Sequence, residues 1–219
     1  YDYAMDLSTS FTGEDSLDVA IIGGNAAGTT VDDFMGGDDT SDALVRDGIS
    51  YTFPLGNATV IVGDGVGVDD MNTGACAYSA FTDLLGDCGD NNVGGSGDSG
   101  FAVAYDFGNG FTAAIGYAGN EAGLMTTAKN DAYGANLAYI ADNYGVSLTY
   151  GMQEDGNDNQ TYTALNGYYS FDNGLNISAG YETGDLDNEG ANTDETQAYF
   201  FGINGDVGPG ELGAAIGTN

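Results

Sequence analysis

The chain of 219 residues has no tryptophan, no histidine, two prolines, two cysteines and only two cationic side chains, Arg46 and Lys129. Each scarcity removes something. Without histidine, and with one lysine and one arginine, the common acid–base and nucleophile-activating sets are absent, and no catalytic residue is assigned. A carboxylate pair can cleave a glycosidic bond, but among 34 acids any pair is a weak signal. The formal net charge of −32 repels phosphate and so excludes a nucleic-acid partner. It attracts cations, and salt screens that attraction. No apolar run of roughly 18 residues exists for a membrane-spanning helix. A barrel that crosses with strands needs none.

Glycine (38), tyrosine (15) and phenylalanine (10) are abundant, and 42% of residues are hydrophobic. That share, in ordered alternation, argues against the disorder that extreme charge otherwise suggests. The clearest stretch is residues 100–117, GFAVAYDFGNGFTAAIGY. One parity carries Phe101, Val103, Tyr105, Phe107, Phe111, Ala113, Ile115 and Tyr117; the other carries Ala102, Ala104, Asp106, Thr112, Ala114 and Gly116. Between the runs, Gly108-Asn109-Gly110 accepts the positive φ of a tight hairpin turn. A soluble sandwich usually turns its large apolar side chains inward and its charges outward. Lipid outside and a wet lumen inside ask for a greasy face opposite a small, weakly charged polar one. Phe101, Val103, Tyr105, Phe111, Ile115 and Tyr117 are therefore expected to face outward, and Ala102, Ala104, Thr112 and Ala114 inward.

The alternation recurs in residues 2–11, 17–22, 49–55, 60–62, 133–139, 144–150, 161–171, 175–181, 199–203 and 211–217, about twelve strands in all. Short turns at Gly13-Glu14-Asp15, Gly56-Asn57, Asp142-Asn143, Asp172-Asn173-Gly174 and Gly208-Pro209-Gly210 alternate with long loops at 24–47, 65–98, 119–131, 153–160 and 182–195. Outer-membrane barrels have short periplasmic turns and long extracellular loops. Phe11, Tyr51, Phe107, Tyr117, Tyr144, Phe171 and Tyr181, near strand ends, read as interfacial girdles. The expected fold is all-β: an antiparallel up-and-down transmembrane β-barrel, one domain over residues 1–219. Tyr1 is not an initiator Met and Asn219 closely follows a strand-like segment, so the chain reads as a piece of something longer.

Most acids fall in the long loops or beside the short turns, and within strands only Asp2, Asp6 and Asp18 are expected, all on the polar parity. A carboxylate facing lipid costs several kcal/mol near the midplane. With Asp106, these three are expected to face the lumen. The longest loop supplies Asp69, Asp70, Asp83, Asp87 and Asp90 as candidate pore or constriction acids. It also holds Cys76 and Cys88, the only cysteine pair, expected to form a disulfide in an exported chain. Tyr78, Phe81, Leu84 and Leu85 imply that this loop packs on something, either inward against a barrel wall or within an outer cap. No metal site or cofactor is assigned. Ca²⁺ at acidic turns such as Asp69-Asp70 or Asp185-Leu186-Asp187 is the one ion considered, without the spacing of an EF-hand. The alternative overall reading is a secreted, acidic, Ca²⁺-stabilised β protein.

TSFTGEDSL (9–17), ISYTFPLGNATVIVGD (49–64), the cysteine loop with FTDLLGDCG (81–89) and VAYDFGNGFTAAIGY (103–117) resemble the porins of cyanobacteria. These are relatives of carbohydrate-selective, OprB-type porins that usually carry an N-terminal surface-layer-homology domain. The resemblance runs through most of the chain and is most specific over 49–117. It implies a barrel of roughly sixteen strands, homotrimeric, held in outer-membrane lipid and passing small hydrophilic solutes and inorganic ions. This chain departs from the family in lacking the surface-layer segment and the terminal aromatic strand. It also lacks the basic residues that hold anionic or sugar solutes, so a cation-preferring channel is expected.

Overall fold

The structure, a computed structural model, describes residues 1–25, 40–78, 88, 93, 99–119, 130–155, 158–186 and 195–218, without the side chains of residues 2, 155 and 158. Period-two alternation draws the chain into twelve strands. They are β1 (Asp2–Thr9), β2 (Ser16–Gly24), β3 (Val45–Leu55), β4 (Ala58–Asp64), β5 (Ser99–Gly108), β6 (Phe111–Gly119), β7 (Asp131–Ile140), β8 (Tyr144–Asp155), β9 (Asp158–Ser170), β10 (Leu175–Asp185), β11 (Glu195–Val207) and β12 (Gly210–Gly217). Each pairs antiparallel with its sequence neighbour, giving one up-and-down sheet in the order β1 to β12. β1 and β12 are its edges, and no ladder joins them among the described residues.

Short connections close one end of the sheet. At the β5–β6 turn Gly108, Asn109 and Gly110 have φ of 78°, 56° and 85°, a run of left-handed residues that only Gly and Asn adopt at low cost. The Asp106 carboxylate accepts the Gly108 N–H at 2.7 Å and shapes the same turn. Between β1 and β2, Asp15 organises the chain. Its Oδ1 accepts from Ser10 Oγ at 2.6 Å, from the backbone N–H of Phe11 and Thr12, and from Thr12 Oγ1, while Tyr51 of β3 donates its hydroxyl to Oδ2. These donors, the Ser10 hydroxyl foremost and Tyr51 next, hold the Asp15 carboxyl well below the usual carboxylate range.

The two faces are inverted relative to a soluble sheet. On β8, Leu148 is 47% exposed, Thr149 0% and Tyr150 44%. Leu137, Leu165, Phe201 and Ile115 are exposed likewise, while Ala102, Ala114, Asn136, Ser147 and Asn166 on the opposite face are buried. Leaving a large aliphatic side chain half exposed to water forfeits about 1 kcal/mol. Repeated along strand after strand, that loss is avoided only where hydrocarbon replaces water as the solvent of the outer face. Aromatics pack against one another along that face, Tyr105 and Phe107 edge-on at 4.8 Å, Tyr169 and Phe171 edge-on at 4.8 Å, and Phe111 tilted against Tyr139 at 4.5 Å.

Three expectations are corrected. The long loop at 153–160 is absent: β8 and β9 pair onward through Gln153↔Gln160 and Glu154↔Asn159 to Asp155↔Asp158. The alternation fades there because both faces become polar, yet the hydrogen-bonded ladder needs no apolar side chains to continue. For the same reason acids at strand ends lie inside strands beyond Asp2, Asp6 and Asp18, among them Asp47, Asp64, Asp106, Asp131, Glu182 and Glu195. Tyr117 keeps the outer parity, opposite Phe101 and Tyr133, but it is only 6% exposed. The two flanking rings cover it, at 5.8 and 5.4 Å, and its hydroxyl donates to Asp131 at 2.9 Å.

Candidate functional site: a strap across the inner wall

After β4 the chain turns at Gly65 (φ +76°) and crosses the inner face instead of leaving it. The described part of the cysteine loop, residues 65–78, 88 and 93, lies on the inner face, the inward one of the two expected placements. A row of glycines makes the close approach possible. Gly116 of β6 stands opposite Gly134 of β7, and Gly134 opposite Gly151 of β8. A Cβ on Gly116 would lie 2.1 Å from the Val68 carbonyl oxygen, and one on Gly151 2.3 Å from that of Val93. Val68 is fully enclosed with Ala118 and Ala132 beside it, and Val93 packs with Tyr162 and Ala164. Farther along, the Tyr78 ring lies over Gly202 of β11 and Gly213 of β12 and meets Phe200 edge-on at 5.3 Å.

A backbone laid on a wall loses water, so its polar groups need partners there. The polar parity supplies them. Asn136 Oδ1 accepts the Thr73 N–H at 3.0 Å, and Asn136 Nδ2 donates to the Thr73 carbonyl and to Thr149 Oγ1. The Ala75 N–H donates to Ser147 Oγ and the Ala77 N–H to Ser178 Oγ, each at 3.0 Å. Asn166 Nδ2 donates to the Cys88 carbonyl at 2.7 Å. Described strap residues thus meet every strand from β5 to β12, and the disulfide between Cys76 and Cys88 ties the strap to itself.

Among the described residues, the strap does not cover the inner face of β1–β3. Asp6 is exposed there, and Asp18 and Ser50 are half-buried. Together with Asp47, Asp64 and the strap's Asp70 they line a cavity of about 470 Å³. Arg46, one of the chain's two cations, is neutralised by an ion pair with Asp64. Asp69 and Asp70 sit in a tight bend of the strap, closed by the Asn72 N–H on the Asp69 carbonyl at 2.8 Å and the Gly67 N–H on Asp70 Oδ2 at 3.1 Å. Asp70 is open to the lumen on one side, but the surrounding wall removes enough water to push its carboxyl up, and the Asp69 charge adds to the rise.

Of the acids expected from sequence, the structure therefore brings Asp6, Asp18 and Asp70 to one cavity and places Asp69 beside it. Asp106 lies at the opposite end, occupied by its turn. The backbone of Asp2 pairs with Gly24, and its side chain lies outside the described residues, as do Asp83, Asp87 and Asp90. Among the described residues no group of three potential ligands is gathered to hold a metal ion, the Asp69-Asp70 turn included, and Asp187 is outside them. The fasteners Asn136, Ser147, Asn166 and Ser178 and the glycine row were not singled out from sequence. Their signal was present as the small, polar parity of each strand, without any sign of what would cover it.

An inverted up-and-down sheet with a polar inner face crossed by its own chain is an architecture of the transmembrane β-barrel class. No family model matches the chain, and no curated protein matches it. Among solved structures it is similar to the outer membrane channel DcaP of Acinetobacter baumannii, with a TM-score of 0.51 and 10% identity over 98% of this chain and 77% of that one. It is similar too to a porin refined at 1.8 Å resolution, with a TM-score of 0.53 and 14% identity over 99% of this chain and 86% of that one. The fold is that of the porin β-barrels.

Proposed function

We propose that the chain is an outer-membrane porin, a passive diffusion channel for small hydrophilic solutes and inorganic ions that prefers cations. The observation that carries this reading is the strap seated on a polar inner wall behind an apolar outer face. A strap in the lumen narrows a passage without closing the wall, and selectivity then follows from width and from the charge lining what is left open. Here that lining is acidic, with Asp6, Asp18 and Asp70 around the open cavity and Arg46 neutralised. The channel reading calls for no cofactor and no catalytic residue. Assignment to the cyanobacterial, OprB-type family, and with it a homotrimer, rests on the resemblance of residues 9–17, 49–64, 81–89 and 103–117. Planar-bilayer recording under a salt gradient tests the function: the purified protein should give ohmic steps with a reversal potential of the cation sign. Absence of channels, or an anion-signed reversal potential, refutes it.

A further inference from the structure

The Asp69–Asp70 bend hangs between two attachments. On one side Val68 is seated on Gly116 and Gly134. On the other, Thr73 is gripped by Asn136, which accepts its N–H at 3.0 Å and donates to its carbonyl at 3.3 Å, much as a neighbouring strand would. Thr112 of β6 adds a hydroxyl contact to Thr73 Oγ1 at 3.0 Å. Asn136 itself is 5% exposed and is oriented by its bond to Thr149 at 2.9 Å. Its amide is thus fixed in the wall, and the position of Asp69 and Asp70 relative to Asp6 and Asp18 depends on it.

We propose that Asn136 is the positioning residue of the selectivity region: it touches no permeating ion, but by clamping Thr73 it sets how far Asp70 stands from the acidic β1–β3 wall. The inference rests on the channel reading above. Other fasteners lie farther along the strap. Ser147 holds Ala75 and Ser178 holds Ala77, beyond the clamp, so their loss leaves the bend between its two attachments. A general weakening of the strap and a specific loss of positioning are separable for that reason.

The test is a double-mutant cycle read in reversal potential. Asn136→Ala, Asp69→Asn/Asp70→Asn, the combination, and Ser147→Ala are each compared with the unmodified protein under one salt gradient. Asn136→Ala should lower the cation-to-anion permeability ratio by at least half of the decrease caused by Asp69→Asn/Asp70→Asn. The combination should fall little below the aspartate variant alone, and Ser147→Ala should keep the original ratio. Additive effects, an unchanged ratio in Asn136→Ala, or an equal loss in Ser147→Ala overturns the proposal. If Asn136→Ala does not fold, Thr112→Val removes the third bond to Thr73 and carries the same expectations at smaller amplitude. An unmodified protein without channels, or without cation preference, fails the functional reading instead.

Discussion

Adding one methyl group to Gly116 should narrow the proposed channel, and the structure gives the size of the step. The new Cβ would lie 2.1 Å from the Val68 carbonyl oxygen and 2.6 Å from its carbonyl carbon and Cα, all backbone atoms that no rotamer change can move aside. Reaching an ordinary contact of 3.4 Å needs a retreat of about 1.3 Å. The sheet is pinned by its ladders to β5 and β7, so the strap is what moves, and the only free direction is into the lumen. Such overpacking costs about 1–3 kcal/mol, small enough for the sheet to fold. The displaced segment takes Asp69 and Asp70 with it away from the β6 wall, so conductance should fall while cation preference is kept or rises. Gly134→Ala, whose Cβ would sit 2.9 Å from the same oxygen, requires about 0.5 Å and should have a smaller effect. Gly210→Ala, with open space around its Cβ, should have none. Single-channel conductance in bilayers, with heat-modifiable mobility as the check on folding, should rank the four proteins in that order. Equal conductance in Gly116→Ala and Gly210→Ala would show that the strap does not bound the passage.

Two further outcomes follow from the carboxylates. Because desolvation by the wall, with help from Asp69, raises the Asp70 carboxyl, it takes up a proton at a higher pH than an ordinary aspartate near 3.9. Cation preference should therefore begin to drop above that pH as acid is added, and Asp70→Asn should lower the preference at neutral pH and abolish this early phase in reversal-potential titrations. Asp15 behaves oppositely. Its folded value is depressed, so its contribution to stability is complete above the unfolded value near 3.9 and is lost as pH falls toward the folded one. The gap in unfolding temperature between the unmodified protein and Asp15→Asn should be full at neutral pH and shrink below about pH 4; a gap that widens in acid contradicts the assignment.

What the sequence made legible was parity. The inward set of Ala102, Thr112 and Ala114 and the outward set of Phe101, Tyr105, Phe111 and Ile115 follow from alternation alone, as does the hairpin at Gly108-Asn109-Gly110. Placement of the cysteine loop did not follow. Both an inward strap and an outer cap bury Tyr78, and hydropathy cannot distinguish the two partners. The deciding feature is a row of Gly116, Gly134 and Gly151, which exists only once three separate strands are set in register. Asn136 was equally hidden: one asparagine on a polar parity looks like a solvated side chain until the strap lies over it. Tyr117 was misjudged because parity reports which face a ring occupies, whereas its exposure depends on Phe101 and Tyr133 beside it.

The composition itself follows from opposing demands on neighbouring residues. The outer face needs large apolar groups, whereas the inner face of β5–β12 must be small enough to admit a backbone and polar enough to satisfy it. Alternating residues meet both at once, as at Leu148-Thr149-Tyr150 and along the glycine row. Burying a charged side chain costs free energy and the chain has few cations to offset it; Glu182 of β10, 1% exposed, is buried there nonetheless. Among the described residues, the acids that line the open cavity come from the strands β1–β4 and from the strap's own bend. In the proposed channel, permeating ions meet charge on both sides of the same gap, Asp6 and Asp18 from the wall and Asp70 from the strap. Selectivity then depends on the width of that gap as much as on the number of carboxylates, which is why a glycine and an asparagine in the wall, neither touching an ion, are expected to tune it in opposite directions.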